Sequence, residues 1–157
     1  RVELAAYRCA GGRAIVDFQP GGCGRDGRRL QSLAQASGVP IVACTGFHRR
    51  RYYPPEYDLW SLSAETTARR FSAEVTVGMA ETQDAARPAR AGFVKAACEA
   101  ALEQTPQAAL EGAAAAAAQT GAALMVHTEQ GQGVESFLAF FNARGVPAER
   151  VVTLIST

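Results

Sequence analysis

Lys95 stands where a lysine is costly, inside the apolar run Gly92-Phe93-Val94-Lys95-Ala96. An ammonium group in such a run must be paired, neutral, or led out to solvent. Two readings follow. Either the side chain snorkels to the sheet edge, or its pKa is depressed and the amine can react with a carbonyl compound or with carbon dioxide. His127 closes a second apolar run, Leu124-Met125-Val126-His127, and Thr128-Glu129 follow it. A lone histidine there is more often a satisfied core residue than a metal ligand. His48 follows a third run through Thr45-Gly46-Phe47. Lys95 and His127 end consecutive strand-like runs, one strand–helix unit apart, and each strengthens the case for the other.

Such residues need elements that bring them to one place. Short runs rich in valine and isoleucine read as buried strands at Ala14–Phe18, Ile41–Cys44, Gly92–Ala96, Ala123–His127 and Val151–Ile155. They are apolar throughout rather than alternating, as in a parallel sheet covered on both faces. Helical stretches lie between them. Asp26 caps one that stops near Gly38, and Ser63 caps one carrying Phe71 and Val75 and ending by Gly78. Thr105-Pro106 opens a third, which runs through the alanine block to Gly121. A fourth, about 134–144, has Phe137, Phe140 and Phe141 on its buried side and Gly145 as its stop. Residues 1–10 read as the tail of an earlier helix.

The alternation implies right-handed parallel crossovers. A doubly wound open sheet and part of a (β/α)₈ barrel both satisfy it. No GxGxxG or GxxxxGK[ST] follows a strand, which weakens a nucleotide-binding open sheet. Gly21-Gly22-Cys23-Gly24 reads as a turn before the Asp26 cap. In a barrel, polar residues at the C-terminal strand ends face the active-site mouth.

The 157 residues, 48% hydrophobic and 20% charged, suit one globular domain spanning 1–157. A net charge of +1 gives no electrostatic reason to expect nucleic acid or an anionic membrane as partner. No run has the length of a membrane span, and no signal peptide is visible. The basic run His48-Arg49-Arg50-Arg51 reads as a solvated loop. None of the four cysteines forms a CxxC pair, so they read as reduced thiols of a cytoplasmic protein.

Several segments resemble the phosphotriesterase family of the amidohydrolase superfamily. They are Ala14-Ile15-Val16-Asp17 with Gly22-Cys23-Gly24-Arg25-Asp26, Gly38 to Gly46, Arg90-Ala91-Gly92-Phe93-Val94-Lys95, Thr120 to Thr128, and Gly145 to Val152. Their order and spacing follow the family over essentially the whole chain. The resemblance implies an α/β fold, a partial (β/α)₈ TIM barrel covering about strands 2 to 6. It also implies two divalent metals, usually zinc, bridged by a carboxylated Lys95, with His127 binding one of them. A hydroxide between the metals would hydrolyse a small-molecule phosphotriester, lactone or ester. His48 and Tyr52, and more loosely Tyr53, fall where the family lines its substrate pocket.

The resemblance also marks what is missing. The family's first strand carries a His-x-His pair and its eighth an aspartate; this sequence is expected to begin after the former and stop before the latter. Ile155 aligns with a metal histidine of the sixth strand. Little hydrolase activity is therefore expected of this chain alone, and its open strand edges favour self-association into a homo-oligomer. A Schiff-base lyase or aldolase using Lys95, and a decayed non-catalytic homologue, stay open as alternatives.

Overall fold

Parallel strands run in chain order across the computed structural model, which describes residues 2–156. Helix α1 (Val2–Cys9) leads to β1 (Ile15–Val16), α2 (Gly27–Ser37), β2 (Ile41–Val42) and β3 (Cys44–Phe47). Then come α3 (Ala64–Thr76), β4 (Phe93–Ala97), α4 (Gln107–Thr120), β5 (Ala123–Glu129), α5 (Val134–Asn142) and β6 (Val151–Ser156). β1 pairs with β2, and the larger sheet has the order β3-β4-β5-β6. Ala43 alone separates β2 from β3, and its carbonyl accepts from Gly92 N–H at 2.8 Å. Residues 41–47 therefore act as one bent strand, paired first with β1 and then with β4.

The helix boundaries follow local chemistry. The Asp26 side chain accepts from Arg29 N–H and the Ser63 hydroxyl from Thr66 N–H, each filling an orphan donor of a first turn. Gly38 and Gly121 close their helices in the left-handed conformation.

Register assigns the two faces of the sheet. Thr45, Phe47, Val94, Ala96, Leu124 and Val126 point one way, into a core completed by Phe71, Leu110, the α4 alanines and Phe137. Alanines let α4 lie close on the sheet, and Gly112 has no room for a side chain against Thr67. The opposite face carries Cys44, Gly46, Lys95, Ala97, Met125 and His127. The expected two-sided apolar strand is thus corrected for β5, whose residues alternate between buried and half-buried. Among the described residues no helix is long and apolar enough to cross a membrane.

Candidate functional site

Lys95 is only 4% exposed, although it lies on the open face. Its Nζ donates to the Phe18 carbonyl at 2.8 Å, across the gap to the loop after β1. Phe18 packs on Phe93 with ring centroids 5.2 Å apart, which brings that loop over the lysine. Burial pulls the Lys95 pKa down, while the acidic groups of Cys44, Cys23 and Asp17 pull weakly the other way. Gly46 makes the approach of β3 feasible. It sits at φ +101, and a Cβ there would collide with the Lys95 backbone.

His127 is the register partner of Ala97, two residues along β4 from Lys95 and on the same face. Strand spacing and rise put the Cα atoms of Lys95 and His127 roughly 8 Å apart. Burial, then the charges of Lys95 and Arg49, lower the His127 pKa. His48 packs against His127 with ring centroids 5.6 Å apart and against Tyr52 at 4.4 Å. Burial first, then Lys95 and His127, bring its pKa down to about 4. At neutral pH both imidazoles offer a lone pair rather than a charge. The structure therefore gathers Lys95, His127, His48 and Tyr52 at the C-terminal ends of β3, β4 and β5. Tyr52 is the exposed outer wall, and Tyr53 lies beneath, its hydroxyl accepting the His48 N–H at 2.8 Å.

Two expectations are corrected. Ile155 pairs with Thr128, and so faces away from His127; Val152 and Leu154 are the β6 residues on the site's face. Its 59% exposure beside Gly131 belongs to the helix side of the sheet. On this register Ile155 does not face His127. The basic run is not wholly solvated either: Arg50 and Arg51 are exposed, but Arg49 is 4% exposed. Its Nε donates to the Cys98 carbonyl at 2.9 Å, and its guanidinium pairs with Glu129 and with Glu99.

A second buried arginine, Arg25, holds the β1–α2 loop. Its guanidinium is bound to both Glu74 and Glu81 and to the Cys44 carbonyl. Sequence reading gave neither arginine a role; charge alone does not say which arginine of a loop turns inward.

As metal donors, a neutral imidazole and an amine of depressed pKa suit a share of a zinc site. Two protein donors are fewer than a catalytic zinc ordinarily has. Among the described residues no group of three or more His, Cys, Asp and Glu is disposed to hold a metal.

The sequence and fold match known proteins throughout. A phospho-furanose lactonase of Mycoplasmopsis agalactiae is 34% identical over 139 residues, covering 82% of this chain and 39% of that protein. A phosphotriesterase-related protein of Nematostella vectensis is 29% identical over 126 residues, covering 80% and 34%. The chain thus spans well under half the length of these relatives. An Escherichia coli phosphotriesterase homology protein, solved with phosphate in its active site, superposes at a TM-score of 0.81 with 24% identity, over 97% of this chain and 51% of that one. A mutant organophosphorus hydrolase from Deinococcus radiodurans gives 0.81 at 28%, over 95% and 45%. These neighbours identify the parallel sheet as part of a barrel, and with the family profile matching residues 1–155, the chain belongs to the phosphotriesterase family.

Proposed function

We propose that this chain carries part of the centre of a metal-dependent hydrolase, with Lys95 and His127 as metal ligands and His48 and Tyr52 lining the substrate pocket. One observation carries the reading: Lys95 and His127 share a face at the strand ends, and burial favours the neutral form of each. Only an unprotonated amine adds carbon dioxide, so a lowered lysine pKa favours a carboxylated Lys95. Two divalent ions, zinc first among them, would supply Lewis acidity and a nucleophile at neutral pH. His127 would give one of them a neutral nitrogen. Substrates would be small phosphotriesters, lactones or esters. The relative named phospho-furanose lactonase favours a lactone. Free cysteines support a reducing, cytoplasmic setting.

With two donors, the chain alone should bind zinc weakly and turn over little. Zinc titration in bicarbonate buffer, with ¹³C-bicarbonate to detect a lysine carbamate, tests this. The expected result is zinc binding weakened at least about tenfold by Lys95→Ala or His127→Ala, and a carbamate signal only when zinc and bicarbonate are both present. Zinc binding indifferent to both substitutions would remove the ligand assignment. Robust esterase or phosphotriesterase turnover at stoichiometric zinc would contradict the incomplete site. Borohydride trapping of a carbonyl compound on Lys95 would favour the Schiff-base alternative instead.

A further inference from the structure

Arg49 draws three strand ends together. It leaves the end of β3, donates through Nε to the Cys98 carbonyl just past β4, and pairs with Glu99 at 3.5 Å and with Glu129 at the end of β5. A buried guanidinium is retained at a cost unless its partners are well placed, and these partners are the loops that frame His127 and His48. The side chain thus ties the Arg49 backbone to the ends of β4 and β5.

That backbone matters for His48. The Arg49 N–H donates to His48 Nδ1 at 2.7 Å. A ring nitrogen that accepts a hydrogen bond carries no proton, so the proton of neutral His48 lies on Nε2. A second proton would set two N–H donors against each other. The rest of the residue is pinned as well: its N–H is bound to the Tyr53 hydroxyl, and its ring lies between Tyr52 and His127. Among the described residues Nε2 has no hydrogen-bond partner, while Nδ1 is engaged.

We propose that Arg49 is a positioning residue that fixes the His48 tautomer, so that Nε2–H is presented as a preorganised hydrogen-bond donor to a carbonyl, ring or phosphoryl oxygen of the substrate. A neutral donor held in advance stabilises charge developing on that oxygen without reorganising at the moment of reaction. The identity of the oxygen rests on the hydrolase reading; the tautomer does not.

The test needs no metal and no turnover. The chain has two histidines, so long-range ¹H–¹⁵N spectra of ¹⁵N-histidine-labelled protein at pH 7 are assigned with His48→Gln alone. His48 is expected in the Nε2–H form, with well-separated nitrogen resonances. Arg49→Met should collapse most of that separation. Arg51→Met, which removes a different cation from the same Glu129, should leave it intact. Should Arg49→Met fail to fold, Glu129→Gln and Glu99→Gln remove the partners singly, and at least one should partly release the tautomer. A proton on Nδ1 in the unaltered chain, an even mixture there, or variants as locked as the parent would overturn the proposal. γ-Butyrolactone titrated into the metal-free chain should shift His48 Nε2 more than the nitrogens of His127. A shift at neither histidine, or at His127 alone, would overturn the donor role. Zinc is absent throughout, so failure of the metal assignment and failure of this inference are separately visible.

Discussion

Replacing Arg25 by methionine should be among the most damaging single changes in this chain. The guanidinium is 1% exposed, and all of its hydrogen-bonding edges are used. Nε and Nη2 hold Glu81 at 2.7 and 2.8 Å, Nη1 and Nη2 hold Glu74 at 2.7 and 2.6 Å, and Nη1 also reaches the Cys44 carbonyl at 2.8 Å. Burial works against the arginine's charge, but bonding to the two carboxylates outweighs it and raises its pKa. Glu81 is likewise pushed up by burial and brought below its usual range by Arg25. Without the arginine, Glu81 can hydrate, since nearly a third of its side chain is exposed. Glu74 cannot. Among the described residues it would keep just the Thr45 hydroxyl at 2.6 Å and a long bond from Ala80 N–H as donors.

An uncompensated buried charge of this kind costs about 3–5 kcal/mol, against a total stability of about 5–15 kcal/mol for a domain. The exposed Arg28–Asp84 pair is the control; solvent screens it, so Arg28→Met should cost far less than Arg25→Met. Urea unfolding followed by far-ultraviolet circular dichroism, with slopes compared, measures both. Adding Glu74→Gln to Arg25→Met should recover about 1 kcal/mol or more, because the unpaired charge goes with it. Equal costs for Arg25→Met and Arg28→Met would refute the argument.

Gly46→Ala should cost about 3 kcal/mol or more, since its Cβ meets the Lys95 backbone at positive φ; Gly24→Ala, also at positive φ but in open space, should cost only about 1–2 kcal/mol. Melting temperatures of the two variants check this. Acid should destabilise the chain before its carboxylates titrate. The folded-state pKa of His48 is about 4 against an ordinary 6.5, so the unfolded chain binds the extra proton first and stability falls as pH drops from 6.5 towards 4. The full difference is worth about 3 kcal/mol, which solvent around a half-buried ring screens to about 1–2 kcal/mol. A urea midpoint in His48→Gln that is as steep in pH over this window as in the parent would count against it.

The sequence made legible what local chemistry decides. Asp26, Ser63, Gly38 and Gly121 announce helix ends because a cap is settled within four residues. Lys95 and His127 were legible because an ionisable group inside an apolar run is anomalous wherever the run goes. The strand reading was less accurate where pairing decides. β1 regularises only Ile15–Val16 of the expected Ala14–Phe18, although Asp17 N–H still bonds Val42. The strand at Ile41 runs on to Phe47 because β4 is there to pair with it. Arg25 and Arg49 were not legible. Their partners lie 49, 56 and 80 positions on for Glu74, Glu81 and Glu129, and no local pattern reports such a distance. The face on which Ile155 points is a matter of register with β5, which alignment to a family does not convey.

Lys95 is held 4% exposed, with its amine against the Phe18 carbonyl. An ammonium has three donors, and among the described residues the structure gives Nζ one acceptor, the Phe18 carbonyl. The neutral amine leaves less unsatisfied, so the hydrogen-bond inventory and burial favour the same protonation state. A carbamate would bring a full negative charge to that buried place. Cys23, Cys44 and Asp17 are its acidic neighbours, so none of them could offset the charge. Nor does Arg49 stand free, since Glu129 and Glu99 already engage it. If the proposed carbamate forms, cations would have to accompany it, and metal loading and lysine carboxylation would then be coupled. On the proposed reading, bicarbonate alone should therefore leave Lys95 unmodified, since burial and the acidic neighbours favour the neutral amine over an anion.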